Sequence, residues 1–209
     1  AALDGLPLPG EAVGCAMNVI RRSDIRPDQD VAVIGVGFLG ALLVQLASRA
    51  GARVVALSRR PFALEIARSG GAETALAIEP GVDAAARDRT GGRGFDRVLE
   101  AAGTQESLDL ATALSKERGR LVIAGYHQDG PRQVDLQLWN WRGLDVVNAH
   151  ERETGVYVDG MRAAVDAIVA GRLDVAPLLT HTFPLAQLGG ALDAMRERKG
   201  RFLKALVLT

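Results

Sequence analysis

Apolar residues along this chain fall into two rhythms that take turns. Residues 31–34 and 53–57 are short runs rich in Val, Leu and Ile, the continuous pattern of strands buried on both faces, and residues 95–100 and 144–148 hold two further short strands around V-L and V-V. Residues 73–78 form a weaker, Ala-rich strand, and L-V-I-A-G at 121–125 forms the fifth of six. Between these runs the apolar positions recur at intervals of three and four, which predicts helices. Val13, Met17 and Ile20 mark one over residues 11–23. Leu39, Leu42, Leu43, Leu46 and Ala50 mark one over 38–50, and further helices fall at 61–68, at 82–89 and at 107–114, where Leu108, Leu110, Ala111 and Leu114 make the stripe. The breaks carry turn chemistry: Arg26-Pro27-Asp28 closes the first helix, Pro61 suits a first helical turn, and Gly51, Gly70 and Gly71 follow helix ends. Past the sixth strand, two amphipathic helices are expected at 160–170 and 185–198 and a last strand at 202–208. No internal repeat or low-complexity segment interrupts the pattern.

Strands alternating with helices of about ten residues predict an α/β fold, a parallel sheet with helices on both faces. Right-handed crossovers make the Rossmann doubly wound order 3-2-1-4-5-6 the natural arrangement, with ligand across the carboxyl ends of the strands where the order reverses. Residues 11–155 hold the nucleotide-binding domain and 156–209 the C-terminal helices and strand. The opening ten residues, A-A-L-D-G-L-P-L-P-G, read as a linker.

Composition narrows the partners. The 25 basic residues balance 25 acidic ones, so no net charge draws the chain to nucleic acid or to an anionic membrane. A single cysteine, Cys15, excludes a disulfide framework or a cysteine-rich zinc module built from this chain. No apolar run approaches the roughly 18 residues that span a bilayer, and no signal peptide opens the chain, so a cytoplasmic location is expected.

The chemistry gathers at V-A-V-I-G-V-G-F-L-G, residues 31–40. Gly35 permits a tight turn, Gly37 lets backbone approach a pyrophosphate, and Gly40 lets helix pack on strand, while Phe38 and Leu39 open the helix whose N–H groups would face the phosphates. The second strand ends L-S-R-R-P, and Ser58 stands 23 residues after Gly35, where NAD enzymes commonly carry an acid for the ribose 2′-hydroxyl. Ser58 can instead donate to a phosphate and Arg59 can grip one, with Arg60 beside it, so NADP is expected, with NAD the alternative. The other reading of Arg59 and Arg60 is as solvated helix-cap residues. Ala101, Ala102 and Gly103 are small enough to let a nicotinamide ribose pass, or simply suit close packing. Ala124, Gly125 and Tyr126 can present backbone to the carboxamide, and neighbouring His127 reads as a surface-loop histidine. Neither Tyr126 nor Tyr157 has a Lys four residues on, which argues against a short-chain dehydrogenase. A methyltransferase would want an acid at Ser58 or Arg59. His150 and His181 have no metal-site spacing with Cys15.

With these residues in hand, the chain resembles the medium-chain dehydrogenase/reductase family, in particular the cofactor half of its zinc-type alcohol and polyol dehydrogenases. The likeness rests on G-E-A-V-G-C-A at 10–16, I-R-P-D-Q-D-V-A-V-I-G-V-G-F-L-G at 25–40, F-D-R-V-L-E-A-A-G at 95–103, G-R-L-V-I-A-G at 119–125, and F-P-L-A-Q-L-G-G-A-L-D-A-M followed by K-A-L-V-L. The resemblance implies NAD(P)-linked interconversion of an alcohol and a carbonyl, with zinc polarising the substrate oxygen. It places the zinc ligands in an N-terminal GroES-like domain that this chain lacks, so zinc is expected only in the full-length protein and the chain alone is expected to turn over slowly or not at all. Glu11 matches the family's G-E-P-L glutamate at the metal edge, although Ala12 replaces the usual proline; its other reading is as a carboxylate at a helix N-terminus. Lys204 matches a basic residue near the pyrophosphate. Family members commonly pair their sixth strands, so a homodimer through residues 136–149 is expected, with core packing of Trp139 and Trp141 as the alternative. A zinc-independent quinone or enoyl reductase and a non-catalytic dinucleotide-binding module remain the rival functions.

Overall fold

The computed structural model describes residues 8–208; residues 1–7 of the expected linker, and Thr209, lie outside the described residues. The first half runs α1 (Gly10–Ser23), β1 (Asp30–Ile34), α2 (Phe38–Arg49), β2 (Arg53–Ser58), α3 (Pro61–Ser69), β3 (Thr74–Ala77), α4 (Val82–Asp88) and β4 (Phe95–Glu100). It continues through α5 (Gln105–Leu114), β5 (Ser115–Ile123), α6 (Leu136–Arg142), β6 (Asp145–Asn148) and α7 (Thr154–Val169). The last elements are β7 (His181–Pro184), α8 (Leu188–Glu197) and β8 (Ala205–Leu208), with short 3-10 turns at Ala176–Leu178 and Leu185–Gln187.

Six strands form one parallel sheet in the order β3-β2-β1-β4-β5-β6, as the alternation of patterns predicted. All five residues of β1 are buried, and its side chains divide between two cores: Val31 and Val33 join the cluster under α1, α2 and α3, while Ala32 and Ile34 join the one under α4 and α5. A strand covered on both faces needs apolar residues at every position, so it reads as a continuous run. Ile34 lies level with Leu57 on one side and Glu100 on the other. That register delivers Gly35, Ser58 and Ala101 to the same edge of the sheet, where the strand order reverses.

The C-terminal third departs from the sequence pattern in detail. β7 was not foreseen; it pairs parallel to β8, from His181 opposite Ala205 to Pro184 opposite Leu208. The strand expected at 202–208 starts only at Ala205, because Phe202 and Leu203 turn their side chains into the core. The boundary expected at 155/156 falls in the first turn of α7, which packs closely on α1: a Cβ on Gly160 would lie 2.8 Å from the Gly14 carbonyl. Residues 136–142 form a helix capped by Asp135, whose carboxylate accepts from Leu138 N at 2.8 Å. Among the described residues no helix is long and apolar enough to cross a membrane.

Candidate cofactor site

Three glycines shape the turn between β1 and α2, each for a different reason. Gly35 has φ +90°, and a Cβ there would stand 2.8 Å from the Ala102 Cβ, so both its backbone conformation and the loop after β4 demand glycine. A Cβ on Gly40 would overlap the Gly35 carbonyl oxygen. Gly37 differs: its φ of −83° is open to any residue, and a Cβ there would meet nothing within 4 Å. The empty space beside Gly37 faces the start of α2, which has no side-chain cap and no acidic residue in its first turn. Free N–H groups and the positive end of the helix therefore address that space, as an anion site requires.

A cavity of about 390 Å³ opens there, bounded by Gly37, Phe38 and Leu39 on one side and by Leu188, Ala191 and Met195 of α8 on the other. Arg60, Arg198 and Lys204 also line it, so the local positive charge missing from the overall balance is concentrated at this point. Lys204 Nζ lies 5.3 Å from the Phe38 ring centroid, a cation–π placement at the helix start. Arg60 does not point into open solvent: its Nη2 donates to the Gly200 carbonyl at 3.3 Å and to the Phe202 carbonyl, fastening β2's exit to the chain before β8. Burial, and then the nearby Arg198 charge, hold the Arg60 guanidinium below its usual pKa. Ser58 is buried, and its Oγ accepts from Arg60 N at 3.3 Å. Arg59 is exposed; it lies near enough to Glu106 to help lower that carboxyl's pKa, after the larger pulls of Glu106's own N–H and the Thr104 hydroxyl.

On the far side of the switch point one carboxylate organises the loops. Glu100 is fully buried; Oε1 accepts from Ala102 N (2.8 Å), Gly103 N (2.7 Å) and Ser107 Oγ (2.7 Å), while its main-chain carbonyl accepts from Ala124 N and Gly125 N. Its Oε2 lies 2.9 Å from His127 Nε2. Arg132 Nε donates to His127 Nδ1 at 2.8 Å, and Arg132 Nη2 donates to the Gly103 carbonyl at 2.8 Å. Arginine can only donate, so His127 accepts at Nδ1 and carries its proton on Nε2, toward Glu100. His127 is thus not the solvent-facing loop histidine its setting suggested: its side chain is 14% exposed and tied into a ring of bonds. The ring brings Ala101–Ala102–Gly103 and Ala124–Gly125–Tyr126 together, with a Cβ on Gly125 unable to fit against Gly103. The loop after β6 joins them, His150 Nε2 donating to the Gly125 carbonyl at 3.0 Å and its ring lying 5.4 Å from that of Tyr126.

Beside these loops a second cavity, about 330 Å³, is bordered by Glu11, Cys15, Tyr126, His150 and Tyr157. Burial, then the Glu11 charge and hydrogen bond, push the Cys15 thiol upward in pKa. Tyr157 is raised as well, first by burial and then by Cys15 and Glu11, while its hydroxyl donates to the Glu151 carbonyl at 2.9 Å. Among the described residues no group of three or more His, Cys, Asp or Glu side chains could hold a metal ion. Glu11 supplies one carboxylate at this edge, and the residues around it do not make a zinc site.

Sequence reading assigned no part in this region to Glu100, Arg132 or Arg198 and weighed His150 only as a metal ligand, whereas Glu100, Arg132 and His150 tie its loops together and Arg198 lines its cavity. For Glu100 a signal existed, an acid directly after the buried Val98-Leu99 pair and just before Ala-Ala-Gly.

The profile of the zinc-binding dehydrogenases matches residues 39–165. The 2-dehydro-3-deoxy-L-galactonate 5-dehydrogenase of Pseudoalteromonas atlantica is 28% identical over 94% of this chain and 56% of its own length. The NADP-dependent isopropanol dehydrogenase of Clostridium beijerinckii is 30% identical over 89% of this chain and 54% of its own length. Among solved structures, a Sinorhizobium meliloti 1021 protein described as a zinc-binding dehydrogenase and bound to NADP superposes with a TM-score of 0.82 at 26% identity, over 96% of this chain and 58% of that one. The chain spans about half the length of the curated relatives it matches.

Proposed function

The chain belongs to the zinc-binding dehydrogenase family, and on that premise we propose that it is the nucleotide-binding portion of an NADP-preferring alcohol or polyol dehydrogenase. The observation that carries this reading is the open space at Gly37, held between an uncapped helix N-terminus and a cavity lined by cations. A dinucleotide pyrophosphate matches that space in charge and in its need for a position without a side chain. The bound nicotinamide supplies the hydride chemistry that interconverts CH–OH and carbonyl groups. This chain's own residues would bind and orient it: Lys204 would hold the pyrophosphate, Ala101, Ala102 and Gly103 would leave room for the nicotinamide ribose, and the Ala124, Gly125 and Tyr126 backbone would meet the carboxamide.

Preference for NADP rests on the end of β2. No carboxylate stands at Ser58, Arg59 or Arg60 to repel a 2′-phosphate, and the exposed Arg59 is available to pair with one. The NADP dependence of the Clostridium beijerinckii relative and the NADP in the Sinorhizobium meliloti structure support the same choice. Zinc belongs, in this reading, to the full-length protein, with Glu11 at its edge. The C-terminal helices and strand would pack back on a catalytic domain, while Leu188, Leu192 and Met195 of α8 line the cofactor cavity. Titration of the chain with NADPH and NADH tests the reading. Tighter NADPH, by about tenfold or more for a charge-assisted contact to the extra phosphate, is expected; equal affinities or tighter NADH would refute the part assigned to Ser58 and Arg59.

A further inference from the structure

Residues 196–201, R-E-R-K-G-R, carry four cations, and three of them are paired. Arg196 bonds Asp193 at 3.2 Å, Lys199 bonds Glu197 at 3.0 Å, and Arg201 bonds Glu65 at 2.9 Å while lying 4.2 Å from the Phe62 ring centroid. Arg198 is different. Among the described residues it forms no ion pair, and its one side-chain hydrogen bond runs from Nε to the Met195 carbonyl at 3.3 Å, in its own helix. It borders the cofactor cavity instead, where the lining contains Arg60 and Lys204 and no carboxylate.

Its backbone bears on stability. Arg198 closes α8 with φ +47° and ψ +36°, the left-handed conformation in which glycine is the favoured residue and any Cβ brings strain. Arg60, Arg198 and Lys204 bring three cations to one cavity wall that holds no carboxylate and includes the start of α2, an arrangement that an anion between them would stabilise.

We propose that Arg198 is a phosphate-binding residue, reaching with Lys204 for the pyrophosphate of the bound dinucleotide. The cavity wall it shares contains Gly37, Phe38 and Leu39, at the start of α2, as well as Arg60 at the exit of β2; the helix start, with its free N–H groups, is what assigns the pyrophosphate to this wall. α8 thereby closes the cofactor cleft from the side opposite the glycine turn. This assignment rests on the dinucleotide site proposed above.

The test is calorimetric titration of the chain and its Arg198→Gly and Arg198→Gln variants with NADPH and with NADH, alongside thermal unfolding of each protein. Losing one charge-assisted bond should weaken both dinucleotides by about tenfold or more, to a similar extent. Arg198→Gly should at the same time raise the unfolding midpoint, since glycine relieves the left-handed strain. Weaker binding in a more stable protein cannot come from misfolding. Unchanged affinity in both variants overturns this assignment alone, and a loss confined to NADPH overturns the pyrophosphate position. A wild-type chain that binds neither dinucleotide overturns this assignment together with the reading beneath it.

Discussion

At the end of β4, four donors converge on the carboxylate of Glu100: two backbone N–H groups, the Ser107 hydroxyl and the His127 ring. A buried carboxylate is tolerated only with such company, and the donors come from the loops after β4 and β5 and from the first turn of α5. Glu100→Gln keeps the size but turns an amide N–H₂ toward one of these donors. If Oε1 is retained as the acceptor, the new N–H₂ faces His127 Nε2–H, and Arg132 at Nδ1 blocks the other tautomer. The substitution should cost about 1–3 kcal/mol, the usual penalty for an unsatisfied buried polar group, read as a lower urea midpoint; an unchanged midpoint would contradict this account of Glu100. Little of this network was legible in the sequence. His127 looked like a surface residue because its partners, Glu100 and Arg132, lie on another strand and further along the loop, and only the folded chain closes the ring. The turn at Gly35 and Gly40 was legible because it depends on neighbours in sequence, a strand end and a helix start.

The β1–α2 unit shows what one substitution can separate at the scale of an element. Alanine at Gly40 must displace the Gly35 carbonyl, and alanine at Gly35 must displace the loop at Ala102 while holding φ +90°; each is expected to lower stability by about 1–3 kcal/mol, as over-packing does. Alanine at Gly37, with open space around it, should leave the urea unfolding curve almost unmoved. Three equal curves would show that the turn does not pack as described. The parallel sheet was readable because strands covered on both faces leave uninterrupted apolar runs. β7 was not, since H-T-F-P mixes polar residues with a proline and its only partner is β8. The same holds for the late start of β8: Phe202 and Leu203 satisfy the hydrophobic pattern of a strand by tertiary burial, without pairing.

Taken whole, among the described residues the six-stranded order ends at β6, and α6 packs against its neighbour β5. The two tryptophans of α6 divide between the alternatives their spacing left open. Trp139 packs inward and its Nε1 donates to Thr112 Oγ1 at 3.0 Å, whereas Trp141 is 84% exposed. We propose, on the end strand β6 and the exposed Trp141 of α6, a homodimer through residues 136–149. Light scattering should then give twice the 22.1 kDa chain mass, falling to the monomer in Trp141→Glu; a wild-type monomer at high concentration would count against the interface. For the molecule's function, everything depends on whether the space at Gly37 holds dinucleotide phosphate. Calorimetric titration of the wild-type chain and of Gly37→Ala with NADPH tests this most directly. The prediction is saturable binding at one site per chain in the wild type, and binding weakened by at least about tenfold in the variant, whose added methyl occupies the phosphate's place, with folding intact. Equal binding by the two proteins, or none by the wild type, would contradict it.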